Sequence, residues 1–311
     1  MSSASFFTRR SVVFTFATLA CLLWGSAYPS IKSGYALLHI ASSDIPAKML
    51  FAGWRFLFAG LLLLVFAFIG GRSLRFRSIR ELGEICLLGL TQTSLQYVFF
   101  YIGLAFTTGV KGSIMNATGT FFSVLLAHFI YHNDKLSVSR ITGCLIGFAG
   151  VMVVNFDREL LDFQFNLAGD GCVILAAFIL SVASIYGKKI SQHIDSVVLT
   201  GYQLGIGGGA LLIGGWLSGG ELESFSPAAL ALMAYMVLLS SVAFALWTIL
   251  LKYNRVGMVT VFNFLIPVSG VALSALFLGE SIMEWKNLVA LVLVCVGIWQ
   301  VTREPASGKQ A

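Results

Sequence analysis

Four amide side chains stand inside apolar stretches of this 311-residue chain, where their chemistry demands partners. Asn116 and Asn263 lie 147 residues apart, close to half the chain length. Gln92 and Gln96 lie one helical turn apart. An amide donates and accepts hydrogen bonds, so in apolar surroundings it must be paired with protein, water or a solute. We therefore expect these side chains to line a polar cavity, unless each one hydrogen-bonds a neighbouring helix and serves only packing.

Both asparagines belong to a longer repeat. Residues that are small or that perturb a helix follow each asparagine at helical spacing: Thr120, Ser123 and Ala127 in the first copy, and Pro267, Gly270 and Ser274 in the second. Glycine or proline at matching places in two halves of a chain is typical of solute-binding sites in transporters. A polar turn follows each copy, and we predict that its acidic residues, Asp134 and Glu280, are helix-terminal or gating groups.

Prolines and aromatic residues add to the candidate site. Pro29 and Pro267 are predicted helix breaks, because proline removes a backbone donor and clashes with the preceding turn. Four aromatic side chains are candidates for an apolar wall of the cavity: Trp24, Tyr28, Tyr202 and Trp247. The alternative for each of these rings is ordinary core packing or a position in the membrane interface.

Two further side chains could carry charge within the apolar stretches. Histidine is the side chain whose charge most readily changes near neutral pH. His128 is therefore a candidate proton relay, although a packing role is the favoured interpretation. Arg55 lies six residues into its apolar run, so its side chain can reach the nearby outer surface. An interfacial anchor is therefore favoured for Arg55 over a group that clamps a substrate.

Several kinds of catalytic chemistry have no counterpart in the sequence. We find no nucleophile beside a base, no paired carboxylates within the apolar stretches, no metal-ligand spacing and no phosphate-binding loop. The five cysteines are spread singly over apolar stretches, a use typical of small hydrophobic residues. The sequence therefore predicts no metal, no cofactor and no enzymatic activity.

The composition is that of a membrane protein. Hydrophobic residues make up 58% of the chain, charged residues only 11%, and the mean hydropathy is +0.88, whereas a soluble domain has about 25% charged residues. Ten apolar runs reach or approach the roughly 17 to 25 residues that a helix needs to cross a bilayer. They are Ser11–Ile31, Met49–Gly71, Ile85–Val110, Gly112–Tyr131, Ile141–Phe156, Gly171–Gly187, Ser196–Gly220, Ser224–Leu251, Val256–Gly279 and Asn287–Thr302. We therefore predict an all-α integral membrane protein.

Positive charge alternates between the loops and predicts an orientation. Of the 20 Lys and Arg residues, 14 fall on one side, five fall on the other, and Arg55 lies within the second run. The side richer in Lys and Arg faces the cytoplasm, and both ends of the chain lie there. This bias explains the net charge of +6 without a nucleic-acid partner. The expected partners are the lipid bilayer and a small-molecule substrate; a homodimer is compatible with the sequence, but a monomer is sufficient.

Short motifs along the chain resemble those of a known transporter family. They are Trp24-Gly25-Ser26 with Lys32, Arg55-Phe56-Leu57 with Ala59-Gly60, and a proline-containing helix that ends Phe277-Leu278-Gly279-Glu280-Ser281. In this order they look like the EamA-type branch of the drug/metabolite transporter superfamily. The resemblance implies ten transmembrane helices in two inverted five-helix repeats, residues 12–156 and 166–303, around a central solute path, with a cytoplasmic tail at 304–311. Thr120 stands where the family pattern has proline, so the fourth helix is expected to bend less than the ninth.

The favoured function is a secondary transporter in the plasma (inner) membrane that exports a small organic metabolite by alternating access. The lack of a deeply placed carboxylate favours a neutral or zwitterionic solute, such as an amino acid, over a cation. Two other classes stay open, an integral membrane enzyme and a membrane scaffold without transport activity.

Overall fold

The computed structural model describes residues 3–156, 164–222, 225–278 and 285–303, and every regular element in these ranges is a helix. Nine of the described helices are long and apolar enough to cross a membrane, and a tenth, Val138–Val154, has 17 residues. We label these ten α1 to α10. They are Arg10–Leu37, Ile45–Ile69, Ile79–Phe106, Gly109–Ile130, Val138–Val154, Leu167–Ile190, Ser196–Leu217, Pro227–Tyr253, 256–278 and Trp285–Thr302. The predicted all-α membrane fold with ten membrane helices is confirmed.

Several helices begin before their apolar runs, where the sequence offers a cap. α2 begins at Ile45, because the Asp44 carboxylate accepts a backbone N–H of the first turn and Pro46 occupies that turn. α3 begins at Ile79, directly after the capping hydroxyl of Ser78. These starts carry both helices beyond the apolar runs, so residues near the start of a run lie deeper in the helix than the run suggests.

Both ends of the described chain lie on one face of the bundle, which we call the terminal face. The Arg10 guanidinium donates to the carbonyl oxygen of Arg303 at 3.5 Å, and the Asn254 amide donates to that of Phe7 at 3.0 Å. Successive helices cross the bundle in alternating directions, from the terminal face to the opposite, far face and back. Since each half has an odd number of helices, α6–α10 run in the opposite sense to α1–α5.

The two halves pack together through equivalent pairs of helices. α1 contacts α8 and α9, and its counterpart α6 contacts α3 and α4. α2 packs along its own counterpart α7, and α5 packs along its counterpart α10. This reciprocal pattern is that of an inverted repeat. The central space of the bundle therefore receives helices from both halves.

Glycines bring the backbones of the pairs α2/α7 and α5/α10 into close contact. A Cβ on Gly208 in α7 would lie 2.4 Å from the backbone nitrogen of Leu57 in α2. A Cβ on Gly297 in α10 would lie 2.5 Å from the carbonyl oxygen of Gly143 in α5. No side chain fits at such distances, so small residues are what let these helices approach each other. We call these two contacts the glycine seams.

Three of the described membrane helices contain an irregular turn. α3 contains the π-helical turn Leu90–Leu95, α6 begins with the π-helical turn Leu167–Gly171, and α9 contains the 3₁₀ turn Val261–Phe264. α4 is a regular α-helix throughout. α1 also runs without interruption through Pro29, in contrast to the predicted helix break. The Ser30 hydroxyl donates to the carbonyl oxygen of Ser26 at 2.8 Å and supports the backbone beside the proline.

Candidate solute-binding site

A cavity of about 160 Å³ lies within the bundle, between helices of both halves. Seven helices line this central cavity: α1, α2, α3, α4, α6, α8 and α9. Eight of the residues singled out in the sequence contribute to its wall: Trp24, Tyr28, Gln92, Gln96, Asn116, Trp247, Asn263 and Pro267. Residues from both halves of the chain therefore meet at one internal surface.

The four amide side chains of the cavity have no hydrogen-bond partner within the described residues. Gln92 lies in the π-helical turn of α3, and Gln96 directly follows that turn. Asn116 lies in the regular α4, whereas Asn263 lies in the 3₁₀ turn of α9. Gln92 and Gln96 are buried, whereas Asn116 and Asn263 are half-buried. An unpaired buried polar group destabilises a fold by about 1–3 kcal/mol. Unpaired amides around one cavity therefore indicate a surface that holds water or a polar solute.

Pro267 lies just beyond the irregular turn of α9 and also lines the cavity. Proline has no N–H to donate to the carbonyl oxygen four residues earlier, which is that of Asn263. The backbone N–H of Leu265 is directed to this carbonyl oxygen instead. The side-chain amide is therefore the group that Asn263 offers to the cavity.

Aromatic rings from α1 and α8 form another part of the wall. The ring of Trp24 lies 5.0 Å from that of Trp247 and 5.3 Å from that of Phe244, edge to face in both cases. Contacts of this kind hold large rings in defined orientations. Tyr28 lies one helical turn after Trp24 and also lines the cavity. The site thus combines rigid apolar surface with free amides, which suits a small organic solute.

Arg55 is buried at the cavity, and the expected interfacial anchor is wrong. The residue is 2% exposed, its Nε donates to Ser240 Oγ at 2.6 Å, and its guanidinium lies 4.9 Å from the ring centre of Phe56. α2 begins at Ile45, so Arg55 lies ten residues into the helix, while the apolar run had suggested six. At about 1.5 Å per residue this places it roughly 15 Å from the helix end. The Arg55 side chain is therefore enclosed within the bundle and is not at the end of the helix.

Tyr202 and His128 lie outside the lining of the cavity. The Tyr202 hydroxyl donates to the carbonyl oxygen of Leu74 at 2.9 Å, and its ring packs on that of Phe76 at 4.7 Å, so Tyr202 holds the α2–α3 loop. His128 accepts the N–H of Leu136 at Nδ1, 3.1 Å away, and fixes the α4–α5 turn. Tyr202 and His128 thus each make a structural contact outside the cavity.

Asp134 lies in the α4–α5 turn on the terminal face and is 1% exposed. Its Oδ1 lies 2.8 Å from Arg140 Nη1, and its Oδ2 accepts the N–H of Gly257 at 3.1 Å. Gly257 is the second residue of α9, so this hydrogen bond joins the two halves. Glu280, the other predicted gating residue, lies outside the described residues.

A wider cavity of about 680 Å³ lies beside Asp134 on the terminal face, and we call it the vestibule. Its lining residue Leu126 lies one helical turn after Ser123, which lines the central cavity. Burial and the nearby Asp134 carboxylate raise the pKa of Tyr131, another lining residue, so this phenol stays neutral at physiological pH. Four lining residues are basic: Lys188, Lys189, Lys252 and Arg255.

The chain matches known proteins over most of its length. The EamA-like transporter family matches residues 12–156 and again residues 167–303. The protein belongs to this family. Among its relatives, the uncharacterized transporter YvbV of Bacillus subtilis is 27% identical. The alignment has 313 positions and covers 98% of this chain and 95% of the relative. A probable amino-acid metabolite efflux pump of Salmonella typhimurium is 24% identical, with coverage of 91% and 92%.

A protein of known crystal structure shares the fold of this EamA-like chain. The two superpose with a TM-score of 0.80 over 94% of this chain and 97% of the other. Their sequences are only 19% identical, so this likeness concerns the fold alone. The family match makes the chain a membrane transporter, and its membrane-length helices make it a multi-pass membrane protein.

Several polar residues of this EamA-like chain line the cavity without having been predicted to do so, among them Arg55, Ser181 and Ser184. Ser181 and Ser184 lie three residues apart in α6, so they share one helix face, and this spacing is the signal that marks them. The Ser181 hydroxyl donates to the carbonyl oxygen of Gly119 at 2.9 Å and joins α6 to α4. For Arg55 the missing information was the true start of α2.

Proposed function

We propose that the protein is a secondary transporter that exports a small organic metabolite and binds it in the central cavity. The observation that carries this proposal is the convergence of unpaired amides from both halves. Gln92, Gln96 and Asn116 come from the first half, and Asn263 comes from the second. Solute sites of inverted-repeat transporters lie between the repeats, beside interrupted helices. The name of the Salmonella relative supports an amino-acid-like metabolite.

The proposed movement is alternating access between two repeats, residues 12–156 and 166–303. The glycine seams are packed backbone to backbone and would stay closed during this movement. The helices that line the cavity and also pack across the halves include α1, α4, α6 and α9. These four helices would change their contacts at the two ends of the cavity. The charge bias of the loops supports a cytoplasmic terminal face in the plasma membrane. Solute would then enter through the vestibule and leave at the far face.

The proposed driving force is the gradient of the solute itself. Among the described residues, no Asp, Glu or His lines the central cavity. A carrier that couples a proton tightly to its substrate normally keeps a titratable group within the membrane. Export would therefore be facilitative or only weakly coupled to protons.

A comparison of culture supernatants tests the proposal. Cells that make the unaltered protein are compared with cells that make Asn263→Leu at the same level in the membrane, after growth on a uniformly labelled carbon source. We expect at least one small organic metabolite to accumulate outside the first cells only. Equal supernatants from both cultures would contradict export through this cavity.

A further inference from the structure

Arg55 places a positive charge at the central cavity without a matching negative charge. Only its Nε has a hydrogen-bond acceptor within the described chain, the Ser240 hydroxyl. That hydroxyl donates in turn to the carbonyl oxygen of Met236 at 2.7 Å. No Asp or Glu of the described residues lines the cavity or forms an ion pair with Arg55. The two terminal nitrogens of the guanidinium are thus left for another partner.

A buried charge of this kind needs compensation. An unpaired ion inside a membrane protein is strongly destabilising, and arginine does not lose its proton to avoid this. The Phe56 ring, 4.9 Å away, offers a partial cation–π contact. Tyr97 also lines the cavity, but a phenol carries no charge to neutralise that of Arg55. The site therefore fits an anion.

We propose that Arg55 binds the carboxylate of the transported solute, and that the substrates are small organic acids with an apolar or aromatic body. This inference rests on the proposed transport function and adds the substrate class. The planar guanidinium presents parallel N–H groups that match the two oxygens of a carboxylate. Arginine therefore selects a carboxylate by both charge and shape, which the amides of the cavity cannot do.

The rest of the cavity suits the body of such a solute. Its volume of about 160 Å³ is close to that of an apolar cavity of about 150 Å³ that holds one benzene molecule. Trp24 and Trp247 provide an apolar surface, and Gln96 and Asn263 can bind further polar groups. An ammonium group would find no carboxylate among the described lining residues, so simple amines are disfavoured.

The vestibule carries positive charge, as Arg55 does. Its basic residues, Lys188, Lys189, Lys252 and Arg255, surround the opening on the terminal face. Asp134, the acidic residue among its described lining, is already paired with Arg140 at 2.8 Å. Basic walls raise the local concentration of anions. A carboxylate solute is thereby drawn to the vestibule before it reaches Arg55.

Pairs of solutes that share one body test the inference on the unaltered protein. The purified full-length chain is heated in detergent with phenylacetate or phenylacetamide, with indole-3-acetate or indole-3-acetamide, and with benzoate or benzamide. We expect at least one acid to raise the midpoint of thermal unfolding and its amide to have little effect. Phenethylamine provides the cation with a similar body and is expected to have no effect.

Variants then assign the effect to Arg55. Arg55→Gln and Arg55→Lys are expected to weaken acid binding about ten- to a hundredfold, because paired hydrogen bonds between charged groups are lost. Arg303→Gln removes an exposed arginine on the terminal face and is expected to leave acid binding unchanged. Gln96→Glu introduces a carboxylate into the cavity and is expected to abolish acid binding. This last variant decides the question even if both Arg55 variants fail to fold.

Distinct outcomes separate this inference from the transport function. The inference is overturned if amides or phenethylamine stabilise as well as the acids, if no acid stabilises, or if acid binding survives Arg55→Gln or Gln96→Glu. Counterflow of the same labelled solutes in proteoliposomes tests the function independently. Counterflow of amides but not of acids would support the transport function and contradict the role of Arg55. Acid binding at Arg55 without counterflow of any solute would support the anion site and contradict the transport function.

Discussion

The Asp134 carboxylate caps a helix of the opposite repeat by accepting the backbone N–H of Gly257 at 3.1 Å. Arg255, at the usual capping position of α9, does not cap the helix with its side chain. A carboxylate at a helix N-terminus satisfies free N–H groups and is favoured by the helix dipole. Arg140, 2.8 Å away, holds the carboxylate in place. This contact joins the repeats beside the vestibule, where the proposed alternating access would require them to separate.

Replacing Asp134 with Asn should destabilise the protein by about 3–5 kcal/mol, because the buried guanidinium of Arg140 loses its counter-charge. The matched control is Arg72→Gln, which removes an ion pair with Asp195 whose side chains are 44% and 43% exposed. Exposed pairs contribute at most about 1 kcal/mol. Thermal unfolding in detergent measures both changes. An equal fall in the unfolding midpoint of both variants would show that the Asp134 contact stabilises the protein no more than an exposed ion pair does.

Two adjacent glycines in α7 test the packing of the α2/α7 seam. Gly208→Ala would place a Cβ 2.4 Å from the Leu57 nitrogen, and overpacking of this kind destabilises by about 1–3 kcal/mol or more. Gly209→Ala would meet nothing within 4 Å and should be neutral or stabilising by up to about 1 kcal/mol. The difference between the two unfolding midpoints is the measurement. Similar midpoints would mean that the helices pack less closely than described.

Transport should respond little to an imposed pH gradient. No Asp, Glu or His lines the cavity among the described residues, and His128 is occupied by the N–H of Leu136. Proteoliposomes with equal solute on both sides and a pH difference of one unit should therefore show no sustained accumulation. The variant His128→Gln should behave like the unaltered protein. Accumulation that disappears in His128→Gln would instead establish proton coupling through this residue.

Labelling of single introduced cysteines determines the orientation of the bundle in the membrane. The background is a variant in which the five native cysteines are replaced. Ser43 and Ser218 are exposed on the far face, whereas Ser73 is exposed in the α2–α3 loop on the terminal face. With a cytoplasmic terminal face, an impermeant reagent should label Ser43→Cys and Ser218→Cys in intact cells. Ser73→Cys should react only after permeabilisation. The reverse pattern would invert the proposed direction of export.

Much of the fold and part of the site follow from the sequence because the membrane limits the alternatives. Apolar runs in lipid must be helical to satisfy their backbone groups, which is why ten runs predict ten helices. Gln92, Asn116 and Asn263 share one property, an amide that lipid does not hydrogen-bond. That property directs attention to a cavity before any contact is known.

The rest depends on details that apolar runs do not contain. The depth of Arg55 required the cap at Asp44, which lies outside the run. Tyr202 lies in the apolar helix α7. The sequence of this helix does not show whether the tyrosine side chain faces the cavity or the α2–α3 loop. The partner of Asp134 is a backbone N–H 123 residues away. Tertiary contacts of this kind leave no periodic signal in the sequence.

The central claim is that the amides of the cavity bind the solute that is moved. Asn116→Leu and Asn263→Leu remove two of these amides, one from each repeat. Gln203→Leu is the control for a structural amide, because Gln203 Nε2 donates to Thr93 Oγ1 at 2.9 Å outside the cavity. Each protein is reconstituted at equal folded concentration and assayed by counterflow of the solute found in the supernatant comparison.

This counterflow rate per folded molecule tests the account most directly. Asn116→Leu and Asn263→Leu should each lower it about tenfold or more, because the solute loses a hydrogen-bond partner in a buried site. Their unfolding midpoints should stay near that of the unaltered protein. Gln203→Leu should instead lower the unfolding midpoint and leave the counterflow rate per folded molecule unchanged. If the asparagine variants lose stability and keep the rate, the amides only hold helices together and the cavity is not the solute site.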